Sequence, residues 1–152
     1  DPEEIVRRHF GDSLFAARHL DPAARTLLDL GSGAGFPGLP IALFHPEIAV
    51  TLAESQNKKA TFLREVVRTL NLPNVEIWAA RAETMPPARQ FDAVTLRAVD
   101  NMPAAIVAAA PRAARELLLL AGTPTEIPPT FTLQAPIPIP NTQTSLLRAI
   151  RI

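Results

Sequence analysis

A glycine-rich segment follows directly on an apolar run early in this chain. Residues 26–28 read T-L-L and lead into D-L-G-S-G-A-G at residues 29–35, and a second apolar run ends nineteen residues after Gly35 in the acid Glu54. Glycines permit a positive φ and let a ligand lie against bare backbone, and the helix that follows directs its N–H groups and positive dipole end at that ligand. A carboxylate at the tip of the next strand is placed to accept hydrogen bonds from a ribose diol. The combination predicts a site for a nucleoside-type ligand.

The spacing of the glycines separates two cofactors. A dinucleotide fingerprint reads G-x-G-x-x-G, and Phe36 stands here in the place of its third glycine. An NAD-dependent oxidoreductase is therefore disfavoured. The pattern present is D-x-G-x-G-x-G, which resembles motif I of the class I S-adenosylmethionine-dependent methyltransferases. That resemblance implies S-adenosyl-L-methionine as the cofactor.

Composition limits the remaining possibilities. The 152 residues are 47% apolar and 20% charged, and we expect one domain over residues 1–152 with a helical N-terminal segment at residues 1–20. The absence of cysteine excludes disulfides and thiolate metal sites, and the three histidines are scattered, so no metal is expected. A net charge of zero gives no signature for nucleic acid, so any RNA-binding surface must be local and no DNA partner is expected. Without a signal or a membrane-length apolar run, we expect a cytoplasmic monomer with no membrane partner.

Hydrophobic periodicity and turn residues predict strands that alternate with helices. Such alternation is typical of an α/β fold with a mostly parallel twisted sheet and helices on both faces, in which ligands bind at the C-terminal ends of the strands. Beyond residue 120 the pattern is weaker and favours an antiparallel hairpin of residues 131–139 with 145–152. The predicted strands are 26–30, 49–53, 75–79, 91–96 and a fifth near 117–121, and the predicted helices are 1–10, 12–19, a short one before 46, one from 56 or 57 to 70, and an alanine-rich one from about 103 to 118.

Motifs outside the glycine loop match one family. The loop continues as G-S-G-A-G-F-P-G-L-P over residues 31–40, and the other motifs are R-H-F-G-D-S-L at 8–14, E-S-Q-N-K-K at 54–59 followed by F-L-R-E-V at 62–66, R-A-E at 81–83 and L-R-A-V at 96–99. In this order they resemble the glucose-inhibited division protein B family, bacterial methyltransferases that act on N7 of a guanine in small-subunit (16S) ribosomal RNA. The resemblance covers about residues 5–118. It implies a class I (Rossmann-like) methyltransferase fold and a small-subunit ribosomal RNA or particle as partner.

The resemblance also implies roles for particular residues. A family member needs no general base, because guanine N7 has a free lone pair and catalysis depends on alignment and electrostatics. No catalytic residue is therefore assigned. The implied cofactor contacts are Gly31 and Phe36 at the methionine and ribose, Glu54, Ser55 and Gln56 at the ribose hydroxyls, Ala82 and Glu83 at the adenine, and Arg97 at the methyl-transfer end, while Lys58, Lys59 and Arg97 are candidates for the RNA.

Several of these candidates, and Asp29 in the glycine loop, have a second interpretation that the sequence leaves open. Asp29 either contacts the ligand or organises the loop by accepting backbone hydrogen bonds, and Arg97 either serves the cleft or pairs with a carboxylate such as Asp12. For Lys58 and Lys59 a solvated helix face is the default interpretation, with RNA phosphate contact as the alternative. At the level of function, the alternatives are a small-molecule or protein methyltransferase on the same fold and a non-catalytic ribosome-assembly factor.

Overall fold

One mostly parallel sheet forms the centre of the protein. The structure is a computed structural model and describes residues 1–97, 101–122 and 125–152. Within that part of the chain the strands are β1 (Thr26–Leu30), β2 (Ala49–Ala53), β3 (Val75–Trp78), β4 (Phe91–Arg97), β5 (Ala113–Ala121), β6 (Phe131–Leu133), β7 (Ile137–Pro138) and β8 (Ser145–Arg151). Their order is β3-β2-β1-β4-β5-β8-β6, with β7 also paired to β8. Strands β1 to β5 are parallel, and β8 is antiparallel to its neighbours. The predicted fold class is confirmed.

Helices cover both faces of the sheet. They are α1 (Pro2–His19), α2 (Gly38–Phe44), α3 (Asn57–Leu70) and α4 (Met102–Ala109). Alternate residues of each strand enter two separate cores: Leu118 and Leu120 of β5 join the core under α1, α2 and α3, whereas Leu117 and Leu119 join the core under α4. This alternation follows from the two-residue period of a strand. No helix in the described ranges combines the length and apolarity that crossing a membrane requires.

The N-terminal segment forms one helix, whereas the sequence predicted two. Asp1 caps α1 as expected, since its carboxylate accepts a hydrogen bond from the Glu3 N–H at 3.1 Å. Ser13 does not begin a second helix. Its hydroxyl donates to the carbonyl of His9 at 2.7 Å, a bond to the preceding turn that is compatible with an uninterrupted helix. The helix therefore continues through Gly11.

The predicted helix from 103 to 118 is also wrong in its second half. Helix α4 ends at Ala109, a 3₁₀ turn follows at Ala110–Arg112, and β5 begins at Ala113. Pro111 in that turn lacks a backbone N–H and fixes φ, so it marks the break. The leucine run of β5 is buried between β4 and β8. A strand covered on both faces has a continuous apolar pattern that a buried helix can share.

The predicted C-terminal hairpin is present with an interruption. Strand β8 pairs with both β6 and β7, so residues 131–139 face it as two short strands rather than one. Pro136 and Pro138 have no N–H to donate to a ladder, which shortens the pairing. Strand β3 ends one residue earlier than predicted and β4 one residue later. Ala98 and Val99 of the L-R-A-V motif lie outside the described residues.

Candidate functional site

The glycine loop between β1 and α2 presents its backbone to open space. Gly31, Gly33 and Gly35 have φ values of +70°, +58° and +100°, a region that L side chains avoid. A Cβ on Gly31 or Gly33 would meet nothing within 4 Å, whereas one on Gly35 would lie 2.3 Å from a methyl carbon of Leu39. The first two glycines therefore leave room for a ligand, and the third lets the loop pack on α2.

Glu54 connects this loop to the segment after β2. One of its carboxylate oxygens accepts a hydrogen bond from the Gly33 N–H and the other from the Gln56 N–H, each at 2.9 Å. The side chain is 6% exposed. The sequence did not predict this structural role of Glu54. Each carboxylate oxygen has two lone pairs, so Glu54 retains acceptor capacity on the side that borders the cleft described below.

Asp29 organises the loop from beneath. Its carboxylate accepts hydrogen bonds from the Gly38 N–H at 3.1 Å and from the Thr95 hydroxyl at 2.8 Å. Burial raises the pKa of Asp29 to about 6, against the lowering effect of these hydrogen bonds. Asp29 is 1% exposed and does not line the cleft. Of its two interpretations, the arrangement favours the structural one.

A cleft of about 310 Å³ opens beside the loop, at the C-terminal ends of β1 and β2. Its volume lies at the lower end of the range for small-molecule sites. Five of the predicted residues meet there: Gly31, Glu54, Ser55, Ala82 and Glu83. The remaining lining residues are Leu30, Ala53, Ala80, Arg81, Ala104, Ala105 and Ala108. The three alanines of α4 were not predicted from the sequence, although their small size on a helix following β4 was an available signal.

A short turn after β3 forms one wall of this cleft. The 3₁₀ turn Ala82–Thr84 is fixed by the indole N–H of Trp78, which donates to the Arg81 carbonyl and to the Thr84 hydroxyl, both at 3.1 Å. Ala82 is buried and Glu83 is exposed. Trp78 thus supports the wall from behind.

The other predicted residues lie around the cleft and not in its lining. Gln56 adjoins it through the bond from its backbone N–H to Glu54. Lys58 and Lys59 are exposed at the start of α3. Phe36 and Arg97 are half-buried on the side facing α1. The side chains of the described residues form no cluster of three or more His, Cys, Asp or Glu that could bind a metal ion.

Arg97 has a different partner from the one considered in the sequence analysis. Its Nη2 donates to Nε2 of His9 at 2.9 Å and also contacts Nδ1 of the same ring. Burial and the charge of Arg97 lower the pKa of His9, which favours the neutral, accepting imidazole. The ring of His9 also lies 5.8 Å, centroid to centroid, from Phe36. The ion pairs found within residues 1–97, 101–122 and 125–152 do not include one between Arg97 and Asp12.

Comparison with known proteins agrees with this architecture. A putative methyltransferase from Escherichia coli superposes with a TM-score of 0.70 at 19% identity, covering 93% of this chain and 85% of that one. The strand order, the glycine loop and the cleft at the strand ends define a class I methyltransferase fold.

The family follows from sequence comparison. The model of the rRNA small subunit methyltransferase G family, GidB, matches residues 1–127. Two relatives named ribosomal RNA small subunit methyltransferase G are similar: one from Roseiflexus castenholzii is 50% identical over 106 residues, and one from Xylella fastidiosa is 48% identical over 102. Each match covers 67% of this chain but 45% and 47% of the relative. The chain belongs to the GidB family, as its motifs indicated, and spans about half the length of these relatives.

Proposed function

We propose that this chain binds S-adenosyl-L-methionine in the cleft beside the glycine loop and transfers its methyl group to N7 of a guanine in small-subunit ribosomal RNA. One observation carries the proposal. Gly31 and Gly33 leave backbone space open next to a buried Glu54 whose two oxygens are fixed by backbone N–H groups. This arrangement occurs in a member of the GidB family.

The residues present fit the cofactor. Glu54, with Ser55 and Gln56 beside it, would accept hydrogen bonds from the ribose hydroxyls. Gly31 would admit the methionine part against its backbone, with Phe36 nearby. The turn of Ala82 and Glu83 would flank the adenine through a backbone N–H and a side chain. When bound, the cofactor supplies a methyl group on a positively charged sulfur, which the lone pair of guanine N7 can accept without a proton leaving first.

The protein's own contribution is then alignment and electrostatics. Arg97 lies at the C-terminal end of β4, next to β1 and its loop. A guanidinium stays protonated and has five N–H donors, so it can orient a carboxylate, a phosphate or a base oxygen but cannot remove a proton. This agrees with a reaction that requires no general base.

The partner we propose is the small ribosomal subunit or its RNA, with the chain acting as a monomer in the cytoplasm. Lys58 and Lys59 are exposed at the start of α3 and free of ion pairs among the described residues. They are candidates for RNA phosphate contacts, together with Arg97. A basic patch of this small size is compatible with the zero net charge of the chain.

The test is methyl transfer from labelled S-adenosylmethionine to small ribosomal subunits from cells that lack the modification, compared with naked ribosomal RNA, followed by mapping of the labelled base. We expect label on one guanine N7 and little label on subunits that already carry the methyl group. Calorimetry should show binding of S-adenosylhomocysteine and none of NAD. Cofactor binding without transfer would support the assembly-factor alternative, and transfer to protein or metabolites alone would support the other methyltransferase alternative.

A further inference from the structure

A second concave surface lies beside α1, whereas the cofactor cleft is bordered by α4, which packs on the other face of the sheet. It is a groove of about 660 Å³ between α1 and the turn that follows β7. Arg8, Asp12 and Phe15 of α1 line one wall, and Ile139 and Asn141 line the other. Strand β7 pairs with the start of β8, beside the C-terminal end of β5. The groove therefore opens at the same edge of the sheet as the cleft.

Asp12 in this groove is a buried carboxylate without a hydrogen-bond donor. It is 9% exposed, and its carboxylate accepts no hydrogen bond from the residues that the structure describes. Burial raises the pKa of Asp12, whereas the charges of Arg97, His9 and Arg8 lower it. Because Asp12 lines the groove and no described residue donates a hydrogen bond to it, its carboxylate oxygens are free to accept hydrogen bonds from a ligand that enters the groove.

The position of Asp12 connects the groove with the end of β4. Asp12 follows His9 by three residues on α1, so the two side chains share a face of the helix. His9 contacts both the Arg97 guanidinium and the ring of Phe36 in the glycine loop. A carboxylate and a guanidinium are thus held near each other without pairing, at the border between the groove and the loop.

This pair of groups matches one nucleobase. The Watson–Crick edge of guanine presents two adjacent donors, N1–H and the 2-amino group, and next to them the acceptor O6. An ionised carboxylate accepts from two adjacent donors, and a guanidinium donates to an oxygen. Adenine places the acceptor N1 in the same position, which a carboxylate repels. Contacts on this edge leave N7 free, because N7 lies on the other edge of the base.

We propose that Asp12 is the residue that selects guanine: its carboxylate accepts hydrogen bonds from N1–H and the 2-amino group of an unstacked target base, while Arg97, oriented by His9, donates to O6. The proposal rests on the proposed function and extends it to the recognition of the base. Arg97 keeps donors for this contact, since its hydrogen bonds to His9 involve Nη2 alone.

The test compares two acceptors, small subunits lacking the modification in which the mapped guanine is either retained or replaced by inosine. Inosine keeps N1–H, O6 and N7 but lacks the 2-amino group. We expect the unsubstituted chain to methylate the guanine substrate with a kcat/KM about tenfold higher than the inosine substrate, as for one lost hydrogen bond to a charged group. In Asp12→Asn the guanine substrate should lose about tenfold to a hundredfold, because the amide has a donating NH₂ group where the carboxylate has its second accepting oxygen. With that NH₂ group opposite the 2-amino group, the ratio between the two acceptors should approach one.

Glu65→Gln is the matched control, since it also removes one carboxylate from a helix but on the exposed surface of α3. It should leave both acceptors unchanged, and the affinity of Asp12→Asn for S-adenosylhomocysteine should equal that of the unsubstituted chain. Equal rates on guanine and inosine with the unsubstituted chain overturn the inference, and that comparison requires no variant to fold. An unchanged guanine-to-inosine ratio in a folded Asp12→Asn also overturns it. No transfer to the guanine subunits by the unsubstituted chain would instead remove the proposed function, and with it this inference.

Discussion

Glu54→Gln should weaken both the fold and cofactor binding, by separable amounts. The substitution retains the size of the side chain and one accepting oxygen. Its new NH₂ group, however, must face one of the two backbone N–H groups, of Gly33 or Gln56, that Glu54 accepts at 2.9 Å. A donor then opposes a donor in a site that is 6% exposed.

The magnitudes follow from the two kinds of contact. Loss of one hydrogen bond to a charged group, with its partner left unsatisfied, costs about 1.5–3 kcal/mol. For a domain of this size such a loss lowers the Tm by about 3–12 °C. If the same carboxylate also accepts from the ribose, binding of S-adenosylhomocysteine should weaken by about tenfold to a hundredfold.

An analogue of S-adenosylhomocysteine without the ribose 2′-hydroxyl separates the two effects. The unsubstituted chain should bind the analogue about tenfold more weakly than S-adenosylhomocysteine, whereas Glu54→Gln should distinguish the two much less, measured by calorimetry. A loss of affinity that is equal for both chains would mean that Glu54 only shapes the loop. A Tm within about 1 °C of the unsubstituted chain would refute the hydrogen bonding to Gly33 and Gln56 as a source of stability.

Four further substitutions test other parts of the protein. Arg97→Ala should lower methyl transfer to small subunits by at least about tenfold with S-adenosylhomocysteine affinity and Tm nearly unchanged; a parallel fall in Tm would show a structural role instead. Burial raises the pKa of Asp29 to about 6 from 3.8, so the folded chain is harder to ionise than the unfolded one. The free energy of unfolding should therefore fall by about 3 kcal/mol as pH rises from about 4 to 6. Urea unfolding at a series of pH values should show this fall for the unsubstituted chain and not for Asp29→Asn. Gly38→Ala should destabilise the fold by about 1–3 kcal/mol, since its Cβ would lie 2.3 Å from a methyl carbon of Leu52. Gly11→Ala, with open space around its Cβ in α1, should stabilise the fold by about 0.5–1 kcal/mol. Equal effects of the two substitutions on the free energy of unfolding would contradict the packing argument.

Local sequence was sufficient for the parallel half of the sheet. The first two strands match their predicted bounds, and β3 and β4 each differ by one residue. Gly31 directly follows β1 and Asn74 directly precedes β3, and such residues mark the ends of strands. Strand β5 was misassigned over residues 113–116, since its alanines and leucines have helical propensity and only the pairing with β4 and β8 makes them a strand.

In the site, the positions of key residues were predictable from local sequence, whereas their contacts were not. Glycine spacing and the acid at Glu54 located the loop and the cleft, because these requirements are local. Contacts between distant segments were not predictable. Arg97 and His9 are 88 residues apart in sequence, and the bond from the Gly33 N–H to Glu54 depends on how the two loops face each other. The placement of Asp12 near Arg97 without an ion pair depends on how α1 packs relative to β4, which local sequence does not determine.

Strand β4 connects the two halves of the proposed site. Thr95 donates to Asp29 beneath the glycine loop at 2.8 Å, and Arg97, two residues further along the same strand, donates to His9 at 2.9 Å. Residues two apart in a strand point to the same face, so one rigid element fixes both the loop that borders the cofactor cleft and the guanidinium that borders the groove. Alignment of a methyl donor with a base requires this kind of common reference, because small displacements between two bound reactants reduce the rate severely. A site without an acid–base pair therefore depends on β4 for the one quantity it must control, the relative position of the two ligands.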